Sequence, residues 1–236
     1  MSVTTAIILA GGLGTRLRSA VPDMPKPMAP ISGRPFLEHL FDYWIKQGIS
    51  HFVLSVCYRH EIIVNYFGEN YKGAKLDYVI EKTPLGTGGG LLLAAEKVSK
   101  NKPFLLLNGD TYFAVDLKQL NEFSLANNAD WCFSLYRTHE VDRYMGMEVS
   151  PQGKIISLKC DEASSEQLAN GGVYWVNPRA LLTERFSSGD KLSLEDDFFV
   201  NAMDSGQRLL GIEVSGIFID IGVPNDYQRA PALLAL

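Results

Sequence analysis

Five short stretches of this 236-residue chain carry residues suited to phosphate and metal chemistry. In the first, the apolar run Ala6 to Ala10 breaks into Gly11-Gly12-Leu13-Gly14-Thr15-Arg16. A continuous apolar run predicts a strand buried on both faces of a parallel sheet. Glycines directly after it let the backbone turn sharply, so that successive N–H groups form a nest for an anion. Arg16 adds a permanently charged, forked donor that suits phosphate oxygens. The dinucleotide fingerprint is excluded because Leu17 stands where its last glycine belongs, and no Gly-Lys-Ser/Thr of a P-loop occurs.

The second stretch, Pro22 to Pro30, holds Lys26 between Pro25 and Pro27. Prolines stiffen the loop and restrict where the ammonium can go, which points to a catalytic cation. In the third, Glu81-Lys82-Thr83-Pro84-Leu85-Gly86-Thr87-Gly88-Gly89-Gly90, the glycines admit a flat ligand such as a nucleobase. Glu81 offers only acceptors, which match the two donors on guanine's pairing edge, and Thr87 is suited to cap the next helix. The fourth and fifth stretches each end an apolar run in a carboxylate: Asp110 after Leu105 to Gly109, and Asp220 after Phe218-Ile219. Two strand-end aspartates can share one Mg²⁺, a hard ion completed by phosphate oxygens and water. Asp116, just before Leu117, reads instead as a helix cap.

Composition narrows the class. Apolar residues make up 46% and charged residues 21%, as in ordinary globular proteins. A net charge of -5 with no basic block argues against nucleic acid as partner. Cys57, Cys132 and Cys160 lack zinc or disulfide spacing, and His39, His51, His60 and His139 lack metal spacing. No signal-peptide pattern and no membrane-length apolar stretch occurs, so the expectation is a cytoplasmic enzyme without membrane attachment.

The elements that must position these residues alternate. Helical patterns at 36–47, 59–67, Gly88 to Lys97 and Leu117 to Asn127 are interleaved with apolar runs at Phe52–Val56, Leu76–Ile80, Phe104–Leu107 and Trp131–Tyr136. That rhythm predicts βαβ units and a mostly parallel, Rossmann-like sheet flanked by helices. Met147–Val149 and Ile155–Leu158 flank a turn at Pro151 to Lys154, which predicts an antiparallel insertion. Gly172–Val176, Leu209–Val214 and Ile217–Ile221 are expected strands, and 178–184 and 194–204 expected helices. The whole chain, 1–236, reads as one domain. Its nucleotide-binding part is about 1–136 with 205–236, and its acceptor-binding part, the antiparallel insertion, about 137–204.

Leu9-Ala-Gly-Gly-Leu-Gly-Thr-Arg-Leu17, Pro25-Lys-Pro-Met28, Pro84-Leu-Gly-Thr87, Asn108-Gly-Asp110, Asn170-Gly-Gly172 and Asp220-Ile-Gly222 stand in the order typical of the sugar-1-phosphate nucleotidylyltransferases. Within that family, 84–90 and 218–227 most resemble the D-glycero-D-manno-heptose 1-phosphate guanylyltransferases. The resemblance implies Mg²⁺-dependent transfer of a nucleotidyl group from a nucleoside triphosphate, GTP favoured, to a sugar 1-phosphate. It assigns Arg16 and Lys26 to catalysis and Asp110 with Asp220 to the metal. Leu9, Ala10, Gly11, Gly12, Gly14, Thr15, Arg16, Glu81, Pro84, Gly86, Thr87, Asn108 and Gly109 are expected on the nucleotide. Tyr144, Gly146, Lys159, Asn170 and Gly171 are expected on the sugar phosphate, and a homodimer is the family-level expectation. Where relatives carry a Glu-Lys pair, this chain reads Lys159-Cys160-Asp161-Glu162, so Lys159 stands in from a shifted position. Tyr144-Met145-Gly146 likewise displaces the usual glycine by one. Mannose or N-acetylmuramate 1-phosphate as acceptor, uridylyl transfer, and a non-catalytic nucleotide-sensing role are the rival readings.

Overall fold

The computed structural model describes residues 2–12, 21, 24–140, 146–160 and 166–234. After strand β1 (Thr5–Ala10) come a 3-10 turn at Lys26–Met28 and a small hairpin, β2 (Pro30–Ile31) and β3 (Arg34–Pro35). Helix α1 (Phe36–Lys46), β4 (His51–Val56), α2 (His60–Phe67), β5 (Asn70–Tyr71), β6 (Ala74–Ile80), α3 (Gly86–Ala95) and β7 (Phe104–Asn108) follow. Next are β8 (Thr111–Phe113), α4 (Leu117–Ala126), β9 (Trp131–Thr138), the hairpin β10 (Gly146–Val149) and β11 (Ile155–Cys160), and β12 (Gln167–Val176). The chain closes with α5 (Phe199–Asp204), β13 (Leu209–Glu213), β14 (Phe218–Asp220) and α6 (Pro224–Leu234).

Strands β6, β4, β1 and β7 lie side by side and parallel. Because both faces are covered, successive residues of β1 enter different cores. Ala6 and Ile8 pack with α1 aromatics such as Phe36 and Trp44, while Ile7 packs with Leu91 of α3 and Phe199 of α5. Leu37, Leu40, Phe41 and Trp44 of α1 are buried at helical spacing. Gly48, with φ of 98°, ends that helix in the left-handed region that favours glycine. After β1 the chain builds outward through β4 and β6, then returns to place β7 on the other side of β1. The crevice beyond the C-terminal ends of β1 and β7 is thus the switch point where open α/β sheets bind ligands.

Past β7 the sheet turns antiparallel. Val173–Val176 of β12 pair with β7, while Ala169 near its other end pairs with Gly146 of β10. The exchange of neighbours falls at Asn170-Gly171-Gly172, where the register with β9 also breaks. A Cβ on Gly171 would stand 2.3 Å from the Phe113 ring, and Gly172 has φ of 69°, so the bulge requires both glycines.

Most expected elements form, and three readings need correction. The stretch 178–184 is only a 3-10 turn at Pro178–Ala180, where the Asn177 side chain accepts from Arg179 N–H at 3.1 Å. The stretch 194–204 is a π-helical turn, Leu194–Phe198, running into the short α5. The run Trp131–Tyr136 also does not extend the parallel pattern next to β7. Strand β9 pairs antiparallel with β12 and parallel with β13, and β14 leaves the main sheet to pair with β8. Apolar content reports a buried strand, not its direction or partner.

Candidate active site

A cavity of about 360 Å³ opens at the switch point. Ten of the residues expected to act there line it: Leu9, Gly11, Gly12, Glu81, Pro84, Gly86, Thr87, Asn108, Asp110 and Asp220. Ala10 ends β1 beside them, and Gly109 joins the ends of β1 and β7. Its N–H donates to the Leu9 carbonyl at 3.0 Å, and a Cβ there would stand 2.5 Å from that oxygen. Gly14, Thr15, Arg16 and Tyr144 lie outside the described residues.

The two aspartates meet because β14 docks on β8. Asp220 pairs with Thr111, and Ile221 N–H donates to the Asp110 carbonyl at 2.9 Å. Lys26 reaches the same point from its proline loop: its Nζ donates to Asp110 Oδ2 at 3.0 Å, with the lysine side chain only 12% exposed. Gly222 marks the centre of the cluster. A Cβ there would lie 2.8 Å from Asp220 Oδ1, 2.8 Å from Lys26 Nζ and 3.4 Å from Asp110 Oδ2. One cation and two carboxylates, brought from three distant parts of the chain, therefore converge on one small volume. Among the described residues no three metal-ligating side chains gather. Two carboxylates facing an open cavity nevertheless suit Mg²⁺, which completes its shell with phosphate and water.

Glu81 is more deeply set than its sequence position suggests. It is 7% exposed, accepting at Oε1 from Ser55 Oγ (2.8 Å) and at Oε2 from Leu85 N–H (2.9 Å). A Cβ on Gly11 would stand 2.5 Å from Oε1, so Gly11 is what lets the backbone leaving β1 lie against the carboxylate. Burial, together with the charge of Glu81, pushes the Cys57 thiol above its ordinary range. Ser55 is the residue that sequence reasoning missed. Its signal is one hydroxyl inside the apolar strand Phe52–Val56, which meets the carboxylate after the neighbouring strand only when β4 and β6 are paired.

The glycines after Glu81 also serve a purpose within the fold. Cβ atoms on Gly86 and Gly89 would collide with the carbonyls of Leu192 and Asp190, and Gly88 N–H donates to the Leu192 carbonyl at 2.9 Å. They admit the chain's own 190–193 segment, while Gly86 also lines the cavity. Thr87, within the first turn of α3, caps across chains of sequence instead of its own helix: Oγ1 accepts from Leu194 N–H at 2.8 Å and donates to Glu195 Oε2 at 3.3 Å.

That contact leads to a second cavity, of about 350 Å³, with Phe133, Met147, Leu158, Ala169 and Phe199 as apolar walls. Its polar groups are Lys159, Asn170, Glu195 and Asp196. Lys159 Nζ donates to Asp196 Oδ1 at 2.8 Å, which raises the lysine and lowers the aspartate from their ordinary pKa values. Asn170 donates to the Tyr174 hydroxyl at 2.7 Å. Gly146 lies opposite Ala169, and Gly171 sits at the β12 bulge between the cavities. Gly172 packs on the Asn108 amide, whose Oδ1 is buried with no partner among the described residues.

A Rossmann-like sheet whose switch-point crevice holds a glycine turn, a proline-clamped lysine and two strand-end carboxylates defines a class of nucleotide-handling transferases. The chain belongs to the nucleotidyl transferase family, whose model matches residues 5–235. It is 42% identical over 225 residues to the D-glycero-alpha-D-manno-heptose 1-phosphate guanylyltransferase of Aneurinibacillus thermoaerophilus, covering 95% of this chain and 96% of that protein. Against the Campylobacter jejuni protein of the same name the identity is 40%, covering 95% and 97%. The crystal structure of HddC from Yersinia pseudotuberculosis superposes with a TM-score of 0.85 at 33% identity, over 98% of this chain and 99% of that one. The same protein has also been solved complexed with GMP-PN.

Proposed function

We propose that this protein transfers GMP from GTP to D-glycero-D-manno-heptose 1-phosphate, forming GDP-heptose and pyrophosphate for surface polysaccharide precursors. The observation that carries the reading is the convergence of Lys26, Asp110 and Asp220 around Gly222 at the switch point. The names of its 40–42% identical relatives support the choice of nucleotide and sugar. Charged, phosphorylated substrates of this kind fit a cytoplasmic reaction. No described helix is long and apolar enough to cross a membrane.

The acceptor's phosphate is ionised near neutral pH and needs no strong general base. One of its oxygens attacks the α-phosphorus of GTP in line as the bond to the β-phosphate oxygen breaks and pyrophosphate leaves. Catalysis then rests on positioning and charge neutralisation. Lys26 neutralises charge at the α-phosphate, while Arg16 and the Gly11–Thr15 turn hold the β- and γ-phosphates. Asp110 and Asp220 are suited to hold Mg²⁺, whose charge would offset that of the phosphates. Glu81 keeps acceptor capacity after its bonds to Ser55 and Leu85, since a carboxylate offers about four lone-pair sites, and those left face guanine's donors.

Pyrophosphate release measured for GTP, UTP, CTP, ATP and dTTP against heptose, mannose, glucose and N-acetylmuramate 1-phosphates tests the proposal. Release with GTP and the manno-configured heptose is expected. Release with UTP would overturn the Glu81 assignment, and silence from a folded protein would overturn the enzyme reading itself.

A further inference from the structure

We infer that Glu195 is a specificity-determining residue for the acceptor, its Oε1 accepting from a hydroxyl of the sugar ring while Thr87 and Ser193 fix the carboxylate through Oε2. The inference rests on reading the cavity behind Thr87 as the acceptor site. Glu195 Oε2 takes a hydrogen bond from Thr87 Oγ1 at 3.3 Å and another from Ser193 Oγ at 3.2 Å. Both donors sit on segments that are themselves pinned. Leu192 N–H donates to the Leu85 carbonyl at 2.8 Å, Gly88 N–H to Leu192, and the π-helical turn starts with Leu194 N–H on Thr87. With one oxygen so held, the carboxylate cannot turn freely at the cavity that Glu195 lines.

The rest of that cavity fits a sugar read by such a group. Its walls are apolar side chains suited to the C–H faces of a pyranose, with a few polar groups to fix orientation, the usual make-up of a small-molecule site. Among the described residues, Lys159 offers the one ammonium on the lining, already drawn in by Asp196. Of the polar lining groups, Glu195 alone is bonded to a residue of the nucleotide cavity, Thr87. Its carboxylate is therefore placed by the same loop that carries the nucleotide pocket, which fixes the distance between the bound sugar and the α-phosphorus. A carboxylate accepting from a sugar hydroxyl forms a charge-assisted hydrogen bond, and a site built for such a donor discriminates strongly against an acceptor lacking it.

Steady-state kinetics of the wild type and Glu195→Gln, with GTP and heptose 1-phosphate and with a set of singly deoxygenated acceptors, test this. The variant should raise KM for the sugar phosphate roughly 10- to 100-fold, the size expected for one charge-assisted hydrogen bond. KM for GTP and the unfolding midpoint should stay unchanged. For one deoxygenated acceptor, wild type and variant should be equally poor, because the hydroxyl that Glu195 holds is then already missing. Ser193→Ala, which frees the carboxylate but leaves it in place, should raise the same KM by a smaller factor. An unchanged acceptor KM in Glu195→Gln, or an equal loss on every deoxygenated acceptor, overturns the inference while wild-type turnover leaves the functional reading standing. A wild type that uses none of the sugar phosphates overturns both.

Discussion

The two cavities are built differently. Around the nucleotide cavity, each acting side chain is held by backbone or by a buried partner: Glu81 by Ser55 and Leu85 N–H, and Asp110 by its place between β7 and β8. Glycines at 11 and 222 bring main chain within contact of those groups. The second cavity is instead lined by the Lys159–Asp196 ion pair, with side chains 52% and 65% exposed, which joins a hairpin at the sheet's edge to the π-helical turn. An exposed pair of this kind is screened by water and adds little rigidity. On the proposed assignment of the two cavities, the shared transfer chemistry sits where geometry is over-determined, and the choice of acceptor sits where side chains can be exchanged without disturbing the parallel sheet.

Breaking the first side should have the largest effect. Arg16→Ala, Lys26→Ala, Asp110→Asn and Asp220→Asn are each expected to lower turnover by at least ~10²–10³ while the chain still folds. Near-normal turnover in any of them would remove that residue from the mechanism. Next comes Gly11→Ala, whose methyl would meet a carboxylate held at both oxygens. Overpacking there displaces the phosphate loop, so KM for GTP should rise about tenfold. Ser55→Ala leaves the buried carboxylate a donor short and should cost roughly 1–3 kcal/mol in a denaturant titration. On the other side, Lys159→Ala should raise KM for the sugar phosphate and leave both the GTP KM and the unfolding midpoint alone. An equal rise in both KM values would erase the distinction between the cavities.

A site remote from both supplies the smallest expected effect. Partial burial alone would raise the Asp42 carboxyl, but hydrogen bonds from Lys72 and Arg34 outweigh it and hold the group below its ordinary value. A depressed folded-state pKa gives stability that is present above the unfolded value of 3.8 and lost as pH falls through the folded one. Asp42→Asn should therefore flatten the acid limb of the stability profile and leave catalysis at pH 7 unchanged.

The parallel half of the fold was legible because its strands and helices state their own periods: an uninterrupted apolar run for β1, and 37, 40, 41, 44 for α1. The Lys26, Asp110 and Asp220 cluster was legible for a related reason, since each residue sits beside a rigid segment whose end must face one crevice. What stayed hidden is whatever depends on two segments meeting. Pro178 opens a plausible helix that the chain abandons within one 3-10 turn. The glycines 86, 88 and 89 give no sign in the sequence of the 190–193 segment they pack against. Ser55 reveals its task only when β4 lies beside β6.

One consequence follows from the way β14 reaches β8. Asp220 lies far along the chain from Asp110, and the strand that brings it home is short and belongs to a sheet of two. Closing so long a loop is entropically costly, and the pairing that rewards it is small. During refolding, the parallel sheet and its circular dichroism should therefore return ahead of pyrophosphate release. Turnover then serves as a clock hand for the last docking event: a chain that is nearly native by every optical probe is still silent until its final strand settles.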